Sequence, residues 1–184
     1  MERSDAIAKH LEPRLLALGF ASTAGEAKAT GYWAFQRGDL KIALALDPRN
    51  GELGISLNDL QSKRTVEFWL FGQFVDDREV GQMGSILLRH DRSEEVIGQL
   101  AEAIERHSDL LGDWSDGLAE RLFAHQAEIS AFAWRKQKLN NALKLADECW
   151  RSRDYARFVR LLEPFENELS PATLKKVQYA HRTS

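Results

Sequence analysis

The five histidines, His10, His90, His107, His125 and His181, are scattered along the chain. None has a second histidine at the spacing with which a helix offers two ligands to zinc, and H-E-x-x-H does not occur. The densest titratable cluster is His90-Asp91 followed by Glu94 and Glu95. Asp91 and Glu94 stand at the spacing of a capping box, in which both side chains satisfy free amides at a helix start, so structure accounts for the cluster. No G-x-S-x-G elbow is present, and Gly81 and Gly84 lack the Lys-Ser/Thr that completes a phosphate loop. The single cysteine, Cys149, lies in an apolar-periodic helical stretch, where a buried, inert thiol is expected. This inventory points to a binding protein rather than an enzyme, with no metal and no cofactor.

Charge is distributed unevenly. Residues 1–75 balance nine Lys/Arg against nine Asp/Glu, residues 76–130 carry five against thirteen, and residues 131–184 carry eleven against six. Either the acidic and basic segments compensate each other inside the fold, or each presents a field to an outside partner. In the second case the acidic candidates are Asp76, Asp77, Glu79, Glu102, Glu105, Asp109 and Asp113, and the basic ones are Arg151, Arg153, Arg157, Arg160, Lys175 and Lys176.

The elements that must position these groups predict an α+β fold. It has an N-terminal helix, an antiparallel sheet of about four strands, and an all-helical C-terminal half, divided near residue 90. Ile7, Leu11, Leu15 and Leu18 recur at helical spacing, Pro13 interrupts early, and Gly19 stands where a C-terminal cap belongs. The period then changes to two. Leu40, Ile42, Leu44 and Leu46 share one face, as do Leu53, Ile55 and Leu57, and Pro48 to Gly51 supplies the turn of a hairpin. YWAFQR before the hairpin and TVEFWLF after it complete the four strands. In the last of these Trp69 and Phe71 point away from Val66, Phe68 and Leu70, toward a face that a helix of the chain or a partner must cover. Residues 72–90 have no clear period, and SILLR fits either a short strand or a helical turn.

Helical spacing resumes over residues 92–111, with Val96, Ile97, Leu100, Ile104 and Leu111 on one side. From Leu118 to Trp150 steps of four and three pick out a seam through Leu122, His125, Ile129, Phe132, Lys136, Leu139, Leu143 and Ala146. The seam predicts one face buried along its length, in an intramolecular bundle or, as the alternative, an intermolecular coiled coil, with a kink or break where Lys136, Asn140 and Asn141 interrupt it. The N-terminus fails as a signal peptide and no apolar run approaches membrane length, so a cytoplasmic protein is expected.

Leu139 to Trp150, Tyr155 to Phe165 and Pro171 to Ala180 then form three helical segments. The placement of Trp150, Asp154-Tyr155, Leu161-Leu162 and Ser170-Pro171 resembles a tetratricopeptide-like hairpin, with Phe158 and Val159 where that repeat sets small residues. The tail DYxxxVxLLEPxxxxLSPxxxKKxxYA also resembles the closing segment of small, poorly characterised bacterial immunity-type proteins. That resemblance implies an inhibitor of a toxin or effector; the charge of the acidic segment, and the outward face of Trp69 and Phe71, mark the surfaces expected to meet a basic protein partner. The alternatives are an effector-secretion chaperone and a nucleic-acid binder acting through the basic C-terminal helices.

Overall fold

A computed structural model describes residues 3–23, 31–83, 86–88 and 92–183. The expected α+β order holds: an N-terminal helix, an antiparallel sheet, then helices. The chain divides after Gln126 into two compact units.

In the first unit α1 (Arg3–Ala6) and α2 (Glu12–Ala17) are joined by one π-helical turn, Ile7–Leu11. Pro13 explains the turn. Its ring clashes with a regular i−4 carbonyl and it has no N–H to donate, and the preceding Glu12 N–H reaches instead to the Ile7 carbonyl, so the helix continues rather than breaks. Gly19, at φ +84°, ends it. The Gly19 N–H donates to Leu16 and the Phe20 N–H to Leu15, the glycine-dependent closure anticipated at this position.

The sheet runs in sequence order through β1 (Ala21–Ser22), β2 (Tyr32–Arg37), β3 (Leu40–Asp47), β4 (Glu52–Asp59) and β5 (Arg64–Glu67), all antiparallel. The main path therefore has five strands rather than four, the extra one being the two-residue β1. The central hairpin has the anticipated register, with Leu44 opposite Ile55 and Ile42 opposite Leu57. Its turn is fixed by local chemistry: the Asp47 carboxylate accepts from the Arg49 N–H and the Asn50 side chain from the Glu52 N–H. Leu40, Ile42, Leu44, Leu53, Ile55 and Leu57 are buried, and each such side chain contributes roughly 1.5–3 kcal/mol.

TVEFWLF is not one strand. β5 stops at Glu67 and α3 (Phe68–Phe74) begins there. β5 pairs only with residues 56–59 of β4, while the other end of β4 is taken by β6 (Ile86–Leu87), which realises the strand option for SILLR. The aromatic run instead folds against α4 (Arg78–Gly81). A Cβ at Gly72 would lie 2.3 Å from the Gly81 nitrogen, so glycine is what allows the two helices this approach.

α5 (Ser93–Arg106) and α6 (Ser108–Gly112) replace the single predicted helix, separated at His107. Ile97, Leu100, Ala101 and Ile104 bury the inner face of α5, which packs against the N-terminal helix. His90 and Asp91, with the predicted capping box, lie outside the described residues. Arg37, at the end of β2, joins the layers by donating to the Leu18 and Ser108 carbonyls at 2.9 and 3.0 Å. After a 3-10 turn at Trp114–Asp116, the Trp114 indole donates to the buried Asp59 carboxylate at 2.9 Å.

α7 (Leu118–Arg151) is one uninterrupted helix of 34 residues, so the predicted break does not occur. Lysine and asparagine cost little inside a helix, and neither glycine nor proline is present to stop it. Nor is the seam buried throughout. Leu118, Leu122 and Ala146 are buried near its ends, but Phe132 is 71% exposed and Lys136 is exposed.

The second unit packs the C-terminal half of α7 with α8 (Tyr155–Leu162), a 3-10 segment (Glu163–Glu168) and α9 (Pro171–Thr183). Asp154 caps α8 by accepting from the Arg157 N–H, and the Ser170 hydroxyl accepts from the Thr173 N–H at the start of α9. Pro164 follows the last α-helical turn and the chain tightens to 3-10 geometry there. Phe158, Val159, Leu162, Leu169, Val177 and Ala180 form the core with Ala142, Ala146 and Cys149.

Candidate functional site

Val96, Gln99, Glu102 and Arg106 recur at three- and four-residue spacing along α5 and form one wall of a cleft of about 550 Å³. Glu79 of α4, Gln82 and Met83 just beyond it, and Ile86 of β6 form the other. The lining thus combines three apolar side chains, Met83, Ile86 and Val96, with two amides, two carboxylates and one guanidinium. It can accept a side chain or short segment that is itself apolar with a cationic end.

The carboxylates nearest the cleft have different local duties. Asp77 caps α4, one oxygen accepting from the Glu79 and Val80 amides. Its other oxygen accepts from Arg106 at 2.7 Å and lies 2.8 Å from the His107 ring nitrogen. The hydrogen bond from His107, followed by the Val80 amide and Arg106, outweighs desolvation and lowers the Asp77 carboxyl to about 2. Only 10% of its side chain is exposed. Arg106 also binds Glu79 at 3.1 Å, and that hydrogen bond leads those with Asp77 in holding the guanidinium above its usual range. His107 packs edge-on against Phe71, with ring centres 5.5 Å apart.

Of the predicted acidic residues, Glu79 and Glu102 line this cleft, while Asp76 and Asp77 line a neighbouring depression of about 330 Å³ with Gly72 and Arg78. Glu105 is exposed and lies 3.5 Å from Arg14. Asp109 and Asp113 are exposed and line neither depression. Among the described residues, Asp76, Glu102, Asp109 and Asp113 have no cation within ion-pair distance, whereas Asp77, Glu79 and Glu105 are already engaged. The aromatic doublet is a correction. Phe71 is fully buried, stacked on Phe68 at 5.9 Å, and Trp69 is half-buried, because helical winding turns the run into the unit.

Arg151, Arg153, Arg157, Arg160, Lys175 and Lys176 are all exposed. Beside them Trp150 contacts Tyr155, Phe158 and Tyr179 at ring separations of 5.3, 5.1 and 5.8 Å, and the Lys176 ammonium lies 5.2 Å from its ring centre. Cys149 is buried, and His125 packs edge-on against Phe74. Among the described residues no three His, Cys, Asp or Glu side chains converge to hold a metal ion, and no helix is long and apolar enough to cross a membrane.

The sequence reading missed Met83, Ile86, Gln99, Arg106 and His107. The spacing of Val96, Gln99, Glu102 and Arg106 was an available signal for one cleft wall; the opposite wall depends on the α4 turn and β6, which no period announces. Comparison with protein-family models, with curated proteins and with solved structures gives no match to this chain.

Proposed function

We propose that this protein is a non-enzymatic protein-binding protein, an inhibitor of the immunity or antitoxin type, whose acidic unit receives a basic surface of a toxin or effector. The observation that carries this reading is the α5 cleft, where Met83, Ile86 and Val96 lie between Glu79 and Glu102. Apolar contact supplies affinity in such a setting, and the surrounding carboxylates steer a cationic partner toward it. The whole unit reinforces the field. Residues 1–126 hold 14 Lys/Arg against 21 Asp/Glu, a net −7, and Glu102, Asp109 and Asp113 have no cation partner among the described residues.

The test is a parallel pull-down from the native host with the native chain and with Glu102→Lys/Val96→Asp. A basic protein retained by the first and lost by the second, then shown to bind the native chain in purified form, is the expected result. Equal retention of every captured protein by both chains removes the cleft as the binding site.

A further inference from the structure

The stretch Ile129 to Ala146 of α7 contains Arg135, Lys136, Lys138 and Lys144 and no Asp or Glu. It also holds the two most exposed large apolar side chains among the described residues, Phe132 at 71% and Trp134 at 60%. Two such rings standing in water among cations are an unusual surface for a helix that buries Ala142, Ala146 and Cys149 nearby. At 100° per residue they point to roughly opposite sides of α7, and each begins the same series. Phe132 is followed at helical spacing by Lys136 and Asn140, and Trp134 by Lys138 and Asn141. The Lys138 ammonium lies 5.2 Å from the Trp134 ring centre, so this pair already shares one face. Arg135 is engaged within the unit, where it binds Glu168 at 2.6 Å and lies 5.8 Å from the Phe165 ring, tying α7 to the 3-10 segment.

We propose that this stretch binds single-stranded nucleic acid, with Phe132 and Trp134 stacking bases, Lys136 and Lys138 contacting phosphates, and Asn140 and Asn141 bonding base edges. An exposed ring beside a cation is the unit with which proteins hold single strands without sequence preference. A membrane surface fits less well, because it needs one continuous apolar face, and Trp134 is flanked by Ser130, Gln137, Lys138 and Asn141. An acidic protein segment would meet the cations, but planar rings beside Asn140 and Asn141 match bases, which offer both a π-face and polar edges. The inference stands apart from the α5 cleft and does not rest on it.

The experiment is fluorescence anisotropy of labelled 20-nucleotide oligo-dT and oligo-U with the intact chain at 50 and 200 mM salt, with poly-glutamate and phosphatidylserine vesicles as competitors. Expected are binding of at least one oligonucleotide, weaker at the higher salt, and little competition from either competitor. Phe132→Ala/Trp134→Ala should weaken binding about tenfold or more without altering the salt slope. Lys136→Gln/Lys138→Gln should lower that slope by about 1.4, since each single-strand phosphate contact contributes about 0.7. All four positions are exposed, and circular dichroism confirms that the variants keep their helix content. Absence of binding at 50 mM salt, equal competition by poly-glutamate or vesicles, or binding lost with Arg157→Glu/Arg160→Glu but not with the α7 variants overturns the proposal.

Discussion

The acidic first unit and the basic second unit use their charges in opposite ways. In the first, Lys9 pairs with Glu94, Arg14 with Glu105, Arg64 with Glu120, Arg92 with Glu95, and Arg106 with both Asp77 and Glu79. In the second, which holds 11 Lys/Arg against 7 Asp/Glu, the only such pair among the described residues is Arg135 with Glu168. Six carboxylates of the acidic unit are thereby paired within it, while exposed Asp47, Glu67, Asp76, Glu102, Asp109 and Asp113 have no cation at ion-pair distance among the described residues. The basic unit leaves most of its cations exposed on helices whose inner faces are apolar. A segment's net charge is thus a poor guide to what it offers a partner; the unpaired remainder is the informative quantity.

The largest expected effect tests the corrected role of the aromatic run. Phe71→Ala should destabilise the first unit by about 3–5 kcal/mol, measured by urea unfolding, because a fully buried ring is deleted. Trp134→Ala in the second unit should stay within about 0.5 kcal/mol, since that ring is exposed. Equal losses would erase the contrast between buried and exposed aromatics.

A smaller effect comes from Asp77. Asp77→Ala removes a helix cap and a charged hydrogen-bond acceptor, for a loss of about 1–2 kcal/mol. The carboxyl is lowered to about 2 in the folded state, below its ordinary 3.8. Its contribution should therefore be fully present above pH 4 and lost as pH falls from about 4 toward 2. Urea unfolding across that range should show a shallower acid dependence in the variant; identical pH profiles would remove Asp77 as a stabilising charge.

The smallest effect on stability belongs to the open carboxylates. Glu102→Lys, Asp109→Lys and Asp113→Lys should each change stability by no more than about 1 kcal/mol in thermal unfolding, as exposed unpaired charges do. A larger loss would show that these groups are structural like Asp77.

The hairpin of Leu40 to Leu57 was legible because strict alternation and a Pro48–Gly51 turn agree on one register. The Phe68–Phe74 helix was not, because a dense apolar run satisfies strand and helix alike, and what decides is the close approach of Gly72 to Gly81. The continuity of α7 was hidden by reading Lys136 and the two asparagines as a break when they merely mark its exposed middle. For the candidate site, the acidic bias was visible in the residues. Which carboxylates were already engaged was not, since Glu94 finds Lys9 85 positions away and Asp77 finds His107 30 positions away.

The central claim, that the acidic unit receives the partner, is tested most directly by association rates with the basic protein captured from the host, measured at 50 and 500 mM salt. With Glu102, Asp109 and Asp113 together reversed to Lys, association should slow by about tenfold or more at low salt, and the salt dependence should flatten. Reversal of Arg157, Arg160, Lys175 and Lys176 to Glu should leave the rate within about twofold. If the basic-helix reversals abolish association while the acidic-unit reversals leave it unchanged, the partner binds the second unit and the account given for the α5 cleft is wrong.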